Sequence, residues 1–409
     1  MKRIRNALVG VLTAALTLAV SPSNAHDEEQ GFASAVSSGK TSLNLRYRYE
    51  FVDQDSFDEN ANASTLRLRW NYETGAWNAW SGFIEFDYVF EVLLDDFNSA
   101  LGTSSPDRDQ YPVVADPEGE DLNQFYFQYS PNDDWSVRFG RQRILLDDQR
   151  FVGGVGWRQN EQTYDGLSFK YSGFEKGEIF YSYVGNVNRI FSEEVPAGDH
   201  NQDTHLLNAS FEISDTWKLV GYAYVIDNDD APAFSTSTYG VRVSGDLAAG
   251  EGKINLLGEF ASQSDNADNP ASYDTDYFRI QAMWSSGDVT FGAGLETLGS
   301  DNGQGFRTPL ATLHAFNGWA DQFLATPPAG IDDAYVKFGL KPGKWNLQLI
   351  YHDFSAETGG GSYGSEFDFS AARKIGDRYG LLLKLAAFEA DDAPFVDTTK
   401  AWLMVTAGF

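Results

Sequence analysis

Apolar and polar residues alternate with a period of two along almost the whole chain. Leu43, Leu45, Tyr47, Tyr49 and Phe51 share one face, while Ser42, Asn44, Arg46, Arg48 and Glu50 share the other. Leu66, Leu68, Trp70 and Tyr72 alternate with Arg67, Arg69, Asn71 and Glu73; near the end Phe367 and Phe369 alternate with Glu366, Asp368 and Ser370. Successive side chains of a strand point to opposite sides, so this period predicts strands with one apolar and one polar face. A water-soluble sandwich shows the same pattern, and the spacing of the turns has to discriminate.

Strands are expected near residues 41–51, 63–73, 77–90, 122–130, 134–142, 162–172, 176–186, 202–213, 216–227, 235–246, 252–263, 273–286, 288–298, 331–341, 344–354, 363–374, 378–389 and 398–409, eighteen in all. Their connections alternate in length. Glu73-Thr74-Gly75-Ala76, Ser130-Pro131-Asn132-Asp133, Ser214-Asp215, Ser286-Gly287, Lys341-Pro342-Gly343 and Gly376-Asp377 read as tight turns, whereas 91–121, 143–161, 187–201 and 299–330 are long, acidic loops. Short turns at one end and long loops at the other describe an all-β, transmembrane, antiparallel up-and-down barrel of the outer-membrane type. An even strand number returns both termini to the short-turn, periplasmic side. Roughly 16–18 strands enclose an aqueous channel, where eight are filled by their own side chains.

The N-terminus supports export. Lys2, Arg3 and Arg5 precede the apolar run Ala7 to Val20, and Ser23-Asn24-Ala25 offers a cleavage site, so residues 1–25 are expected to be a signal peptide and 26–409 the barrel. The run is short for a transmembrane helix, which needs roughly 20 residues. There is no cysteine, so no disulfide framework is available. Removing the leader takes the net charge from -29 to about -32, which argues against nucleic acid as a partner. An aromatic content of 15% rules against an acidic disordered chain. Trp70, Trp77, Trp135, Trp217, Trp284 and Trp345 fall at strand ends, where they suit lipid headgroups or simple packing. Ala401, Leu403, Val405, Ala407 and Phe409 form the apolar face of the last segment. A terminal Phe after such a strand resembles the signal read by the outer-membrane assembly machinery, and it also reads as an ordinary closing strand. Outer-membrane lipid is the expected surrounding.

The polar faces carry charge. Arg46, Arg48, Arg67, Arg69, Arg138, Lys170, Lys218, Arg242, Arg279 and Lys337 all alternate with apolar neighbours, as do Glu50, Glu73, Glu85, Asp87, Glu212, Glu259, Glu296, Glu366 and Asp368. Two readings stand side by side. The cations form a ladder lining the lumen for an anionic solute, or acids and bases neutralise one another and merely solvate the interior.

Two segments are more specific. Phe139-Gly140-Arg141-Gln142-Arg143 leads through Asp147-Asp148-Gln149-Arg150-Phe151 and Gly153-Gly154 to Trp157-Arg158-Gln159-Asn160 and Thr163-Tyr164-Asp165-Gly166. The second runs from Phe306-Arg307-Thr308-Pro309-Leu310-Ala311-Thr312-Leu313-His314 through Gly318-Trp319-Ala320-Asp321 to Thr326-Pro327-Pro328. Both resemble the bacterial alginate-export outer-membrane porins. The resemblance implies an arginine-rich lumen that conducts a polyuronate, and it adds Arg141, Arg143, Arg150 and Arg158 to the pore-lining candidates. The alginate exporter closes its periplasmic mouth with a long turn late in the chain; here Lys374 to Tyr379 is tight, which favours a more open porin for acidic oligosaccharides or small anions.

Within the loop 299–330, residues 309–324 are expected to form a helix. Thr308 caps it, Pro309 suits its first turn, and Leu310, Leu313, Phe316, Ala320 and Phe323 recur at helical spacing. It would either fold into the barrel mouth, making Leu313, His314, Phe316 and Trp319 constriction residues, or pack on neighbouring loops. The histidines His26, His200, His205, His314 and His352 show neither metal-motif spacing nor a nucleophile elbow. Catalysis, metal and cofactor are therefore not expected. The sequence reads as an outer-membrane channel passing anionic solutes, most readily an acidic oligo- or polysaccharide. A general non-selective porin and a structural or adhesive barrel are the alternatives.

Overall fold

In the computed structural model, which describes residues 31–100, 108–193 and 195–409, every alternating segment is a strand. The expected leader, residues 1–25, lies outside the described residues. The barrel strands are β1 (Lys40–Gln54), β2 (Ala61–Glu73), β3 (Trp80–Asp96), β4 (Gly119–Asn132), β5 (Trp135–Gln142), β6 (Thr163–Phe174), β7 (Gly177–Asn188), β8 (Asp199–Glu212), β9 (Trp217–Ile226), β10 (Thr236–Ala249), β11 (Gly252–Asp265), β12 (Asp274–Ser286) and β13 (Val289–Leu298). A two-stranded loop ribbon follows, β14 (Ser300–Asp301) and β15 (Gln304–Gly305). The barrel resumes with β16 (Ile331–Leu340), β17 (Trp345–Ser355), β18 (Ser362–Ile375), β19 (Tyr379–Ala390) and β20 (Thr398–Gly408). Each strand pairs antiparallel with its neighbours, and β1 pairs with both β2 and β20, so the 18-stranded sheet has no free edge. Leu43 and Phe409 exchange backbone hydrogen bonds of 3.0 and 2.9 Å at the seam. In hydrocarbon an unpaired backbone amide costs several kcal/mol, roughly, and closure removes that cost.

Burial is the reverse of a protein in water. The outward positions are apolar and exposed: Phe139 is 64% exposed and Ile280 51%, whereas inward Arg48 and Glu50 are 1% and 0% exposed. Only a surrounding lipid phase covers such a belt. Among the described residues no helix is long and apolar enough to cross a membrane. A membrane strand takes roughly 9–11 residues; β3 and β8 exceed this, reaching Asp96 and starting at Asp199, beyond their expected limits.

Two local expectations are corrected. The turn expected at 73–76 is longer, because the backbones of Trp77 and Trp80 bond each other and the connection docks on an unforeseen short helix, α1 (Phe32–Ser37). The Phe32 ring meets Trp77 edge-on at 5.5 Å. The helix expected over 309–324 does not form; a single 3-10 turn, Leu313–Ala315, takes its place. Asn317, Gly318 and Asp321 adopt φ of +53°, +83° and +63°, which no α-helix tolerates. The N–H groups of Trp319 and Ala320 donate to the Glu366 carboxylate instead of to a helical carbonyl. A tertiary partner has overridden a weak local preference.

The core sits inside the barrel. Phe151, Phe306, Leu310, Trp319 and Phe323 from two long loops pack on Tyr222, Tyr277, Phe354 and Trp402 of the wall.

Candidate functional site

The loop between β5 and β6 and the loop between β13 and β16 both turn inward and cross inside the lumen. Gly153 N–H donates to Leu310 O at 2.8 Å, and Thr312 N–H donates to Gln149 O at 3.0 Å. The Tyr164 hydroxyl donates to Gly153 O at 2.7 Å. A Cβ on Gly153 would lie 2.3 Å from Thr312 Oγ1, so the crossing requires glycine there. The segment 306–326 therefore occupies the barrel interior rather than lying on neighbouring loops.

Wall and loops exchange charges reciprocally. Wall arginines hold the first loop: Arg46 donates to Gln159 Oε1 (2.9 Å), Gly156 O (2.8 Å) and Arg158 O. Arg48 donates to Trp157 O, pairs with Glu50 (2.6 Å) and Asp116 (3.3 Å), and lies 4.3 Å over the Trp157 ring. Arg67 reaches Gln159 O (3.3 Å) and Asn44 (2.9 Å). Arg69 joins Asp87, Glu161 and Glu85. Arg242 and Arg279 share the loop carboxylate Asp148 at 2.7 and 2.8 Å. In the opposite sense the loop arginines reach wall acids. Arg150 pairs with Glu296 (2.8 Å), Arg158 with Glu50 (3.0 Å), and Arg143 with Glu85 (3.1 Å) as well as with Glu161 (2.5 Å). Burial pushes the Glu161 carboxyl up, but Arg69 and Arg143 outweigh it and hold it down at about 2. The four adjacent arginines Arg46, Arg48, Arg67 and Arg69 face the lumen, yet all are buried under the loop they clamp.

The other candidates separate. Arg138, bonded to Gln128 at 2.8 Å, and Lys170, paired with Glu178 at 2.5 Å, line a recess of 390 Å³ with Arg143 and Lys218 on the periplasmic side of the first loop. Lys337 lies on the inward parity of Asp333. Arg141 does not line the pore. It shares the outward parity of Phe139, pairs across the strand with Phe125, and bonds Asp165 (2.9 Å) and Glu193 at the outer rim. Its motif suggested the lumen; the strand register puts it on the other face.

The second loop fastens to the wall around His314. Its Nδ1 lies 2.6 Å from Asp321 Oδ1 and its Nε2 lies 2.6 Å from Lys384 Nζ. An ammonium can only donate, so Nε2 accepts and Nδ1 carries the proton toward Asp321. The ring stacks on Trp157 at 4.4 Å. Burial pushes His314 down to about 3, despite Asp321. Asn317 donates to Glu296 at 2.8 Å, and Phe316 lies beneath Arg150 at 4.8 Å. A Cβ at Gly318 would meet Glu366 Oε2 at 2.4 Å. Lys384, Lys400, Asp116, Glu161 and Asp321 were not singled out from the sequence. Lys384 was visible there as a lone charge at inward parity in Leu381-Leu382-Leu383-Lys384-Leu385.

Above this layer opens an extracellular vestibule of 720 Å³. Arg150, Arg158, Arg189, Arg307, Lys400 and Asp321 reach its surface, among Phe57, Phe191, Phe234, Leu313 and Phe323. A third cavity of 660 Å³, lined by Lys344, Asn346, Lys374, Leu382 and Met404, opens at the short-turn end of β17–β20. The described residues hold no cluster of three or more His, Asp or Glu suited to a metal ion.

The fold is shared with solved porins. Acinetobacter baumannii OccAB4 superposes with a TM-score of 0.72 at 12% identity, over 90% of this chain and 98% of that one. Pseudomonas aeruginosa OpdK, solved with vanillate, gives 0.72 at 13%, over 91% and 99%. P. aeruginosa OccK9 (OpdG) gives 0.73 at 12%, over 92% and 100%. No curated protein matches the sequence. The model of the alginate export family matches residues 39–290. Family and fold neighbours are channels, not enzymes. The chain is thus a Gram-negative outer-membrane porin, and it belongs to the alginate export family.

Proposed function

We propose that the barrel is a passive route for organic anions, with small carboxylates and short acidic saccharides as its solutes. One observation carries this reading. Arg189 and Arg307 face the vestibule, and neither has an ion pair among the described residues, whereas the other arginines there are committed to loop attachment. Arg307 donates to Gln304 at 2.6 Å, and its Nε is buried without an acceptor. Arg189 lies over the Phe191 and Phe234 rings at 5.4 and 5.8 Å. A guanidinium keeps its charge at any working pH and matches a carboxylate with a flat fork. The apolar walls beside the two arginines suit a solute that carries one carboxylate on a compact body. Vanillate, with which OpdK was solved, is such a molecule, and alginate is a chain of uronates. A vestibule of 720 Å³ is in the range of small-molecule sites. The covered Arg46, Arg48, Arg67 and Arg69 offer no open ladder to a polymer.

Planar-bilayer recordings test this. The wild-type reversal potential in a salt gradient should show anion preference, and vanillate or a diuronate should block the current. Arg189→Gln with Arg307→Gln should weaken that block about tenfold, the value of one charge-assisted hydrogen bond. A wild type without anion preference would be a general porin, and one without conductance a structural barrel.

A further inference from the structure

We infer that solutes cross this barrel through a thin septum on β19–β20, and that Lys384 sets the sign of the charge that passes. The inference rests on the channel reading above. It comes from register. Inward partners on β19 and β20 are Gly380 with Thr406, Leu382 with Met404, Lys384 with Trp402, and Ala386 with Lys400. The first two pairs line the periplasmic cavity, and Lys400 lines the vestibule. Between these lining residues stands one pair, Lys384 and Trp402, which is buried, as is Ala386 next along the wall. At roughly 3.4 Å per residue, the wall from Leu382 to Ala386 spans about 14 Å, less the strand tilt. The other side of the barrel is thicker by the same measure. Above the recess that Asn208 lines, the next four inward positions of β8, Leu206, Thr204, Gln202 and His200, line neither the recess nor the vestibule.

The septum is completed by the second loop. His314 and Trp157 stack across it, and Trp319 closes its flank. Lys384 Nζ lies 3.6 Å from the Trp319 ring centroid and 4.4 Å from that of Trp157, with His314 as its hydrogen-bond acceptor. No carboxylate lies within 4.0 Å of this ammonium among the described residues, unlike Lys400, which Asp321 neutralises at 2.7 Å. The septum therefore holds a cation in contact with aromatic faces and a neutral imidazole, and the carboxylates that act on it, Asp368, Asp321 and Glu366, lie beyond ion-pair distance. An anion that parts the His314–Trp157 stack meets an unpaired positive charge; a cation meets repulsion.

The chain has no cysteine, so single cysteines report the route cleanly. Met404→Cys lies in the periplasmic cavity under the septum, and Ser136→Cys lies in the recess on the opposite side. A bulky, positively charged thiosulfonate added from the periplasmic side should abolish most of the current through M404C and leave S136C conducting. The reverse pattern overturns the route. Lys384→Gln should lower the anion-to-cation permeability ratio about fivefold, the effect of one charge at contact under water-like screening, and Lys384→Arg should keep it. Lys384→Met serves where Gln disturbs insertion. Block of M404C together with an unchanged ratio in the neutral variants overturns the role of Lys384. A wild type with no anion preference defeats the functional reading instead, and the cysteine pair still decides the route.

Discussion

Replacing Glu161 should unlock the first inward loop, in a way that disappears in acid. The carboxylate joins Arg69 of the wall to Arg143 at 2.5 Å, and it is buried. Its value of about 2, against 4.5 for an ordinary glutamate, corresponds to about 3 kcal/mol, or a few hundred-fold in the balance between docked and released loop. The native value is depressed, so this contribution is complete above pH about 4.5 and is lost as the pH falls toward 2. Glu161→Gln removes the charge at every pH. In bilayer recordings the variant should occupy high-conductance, flickering states a few hundred-fold more often than wild type at pH 7. That excess should shrink steadily below pH about 4.5, because protonated glutamate and glutamine are near-equivalents. The comparison cancels the other carboxylates that titrate in the same window. An excess independent of pH, or no excess at neutral pH, would refute the argument that this pair holds the loop.

Replacing Arg46, Arg48, Arg67 and Arg69 together with Gln should raise conductance and its noise, since each of these side chains anchors residues 156–161 rather than facing open water. Breaking the buried Arg48 and Arg69 pairs costs about 3–5 kcal/mol each; unchanged conductance with lost anion preference would instead mean that they touch the solute. Ile280→Arg, at the middle of the outward face of β12, should lower folding stability in lipid vesicles by about 2–4 kcal/mol, and a neutral result in urea titrations would place that face away from lipid.

The wall of this protein was legible because its physics is local. Alternation needs only neighbouring residues, and a turn such as Gly376-Asp377-Arg378 announces itself; so the strands could be read, with the extracellular ends falling short by three residues at β1, β4 and β8 and by six at β3. The interior was not legible in the same way. Residues 309–324 have helical spacing, but Glu366, some 46 residues further on, captures the amides of Trp319 and Ala320. The dipeptide Asn317-Gly318 was the local warning against a helix. Arg141 and Arg143 stand two positions apart in one motif, yet strand β5 ends between them, and only Arg143 turns into the lumen. The fate of the arginine ladder was least visible, because whether Arg46 and Arg67 meet solute or loop carbonyls depends on where residues 156–159 fold.

That fate also explains how the site can be recognised. Two inward loops in a polar lumen cannot be held by apolar burial alone, since they also touch charged wall. A buried charge is tolerable only when paired, so each loop presents what the wall lacks: Asp148 to Arg242 and Arg279, Arg150 to Glu296, Arg158 to Glu50. Reciprocal pairing fixes the loops in one position, because any slip leaves a charge stranded in a dry interior. It also consumes most of the lumen cations. Arg189 and Arg307 in the vestibule and Lys384 in the septum are among those with no ion pair within 4.0 Å among the described residues, as are Arg46, Arg67 and Arg138, which bond neutral groups. Under the proposed function, the two arginines of the vestibule and the lysine of the septum beneath it are where a passing anion would supply the partner that the barrel itself does not.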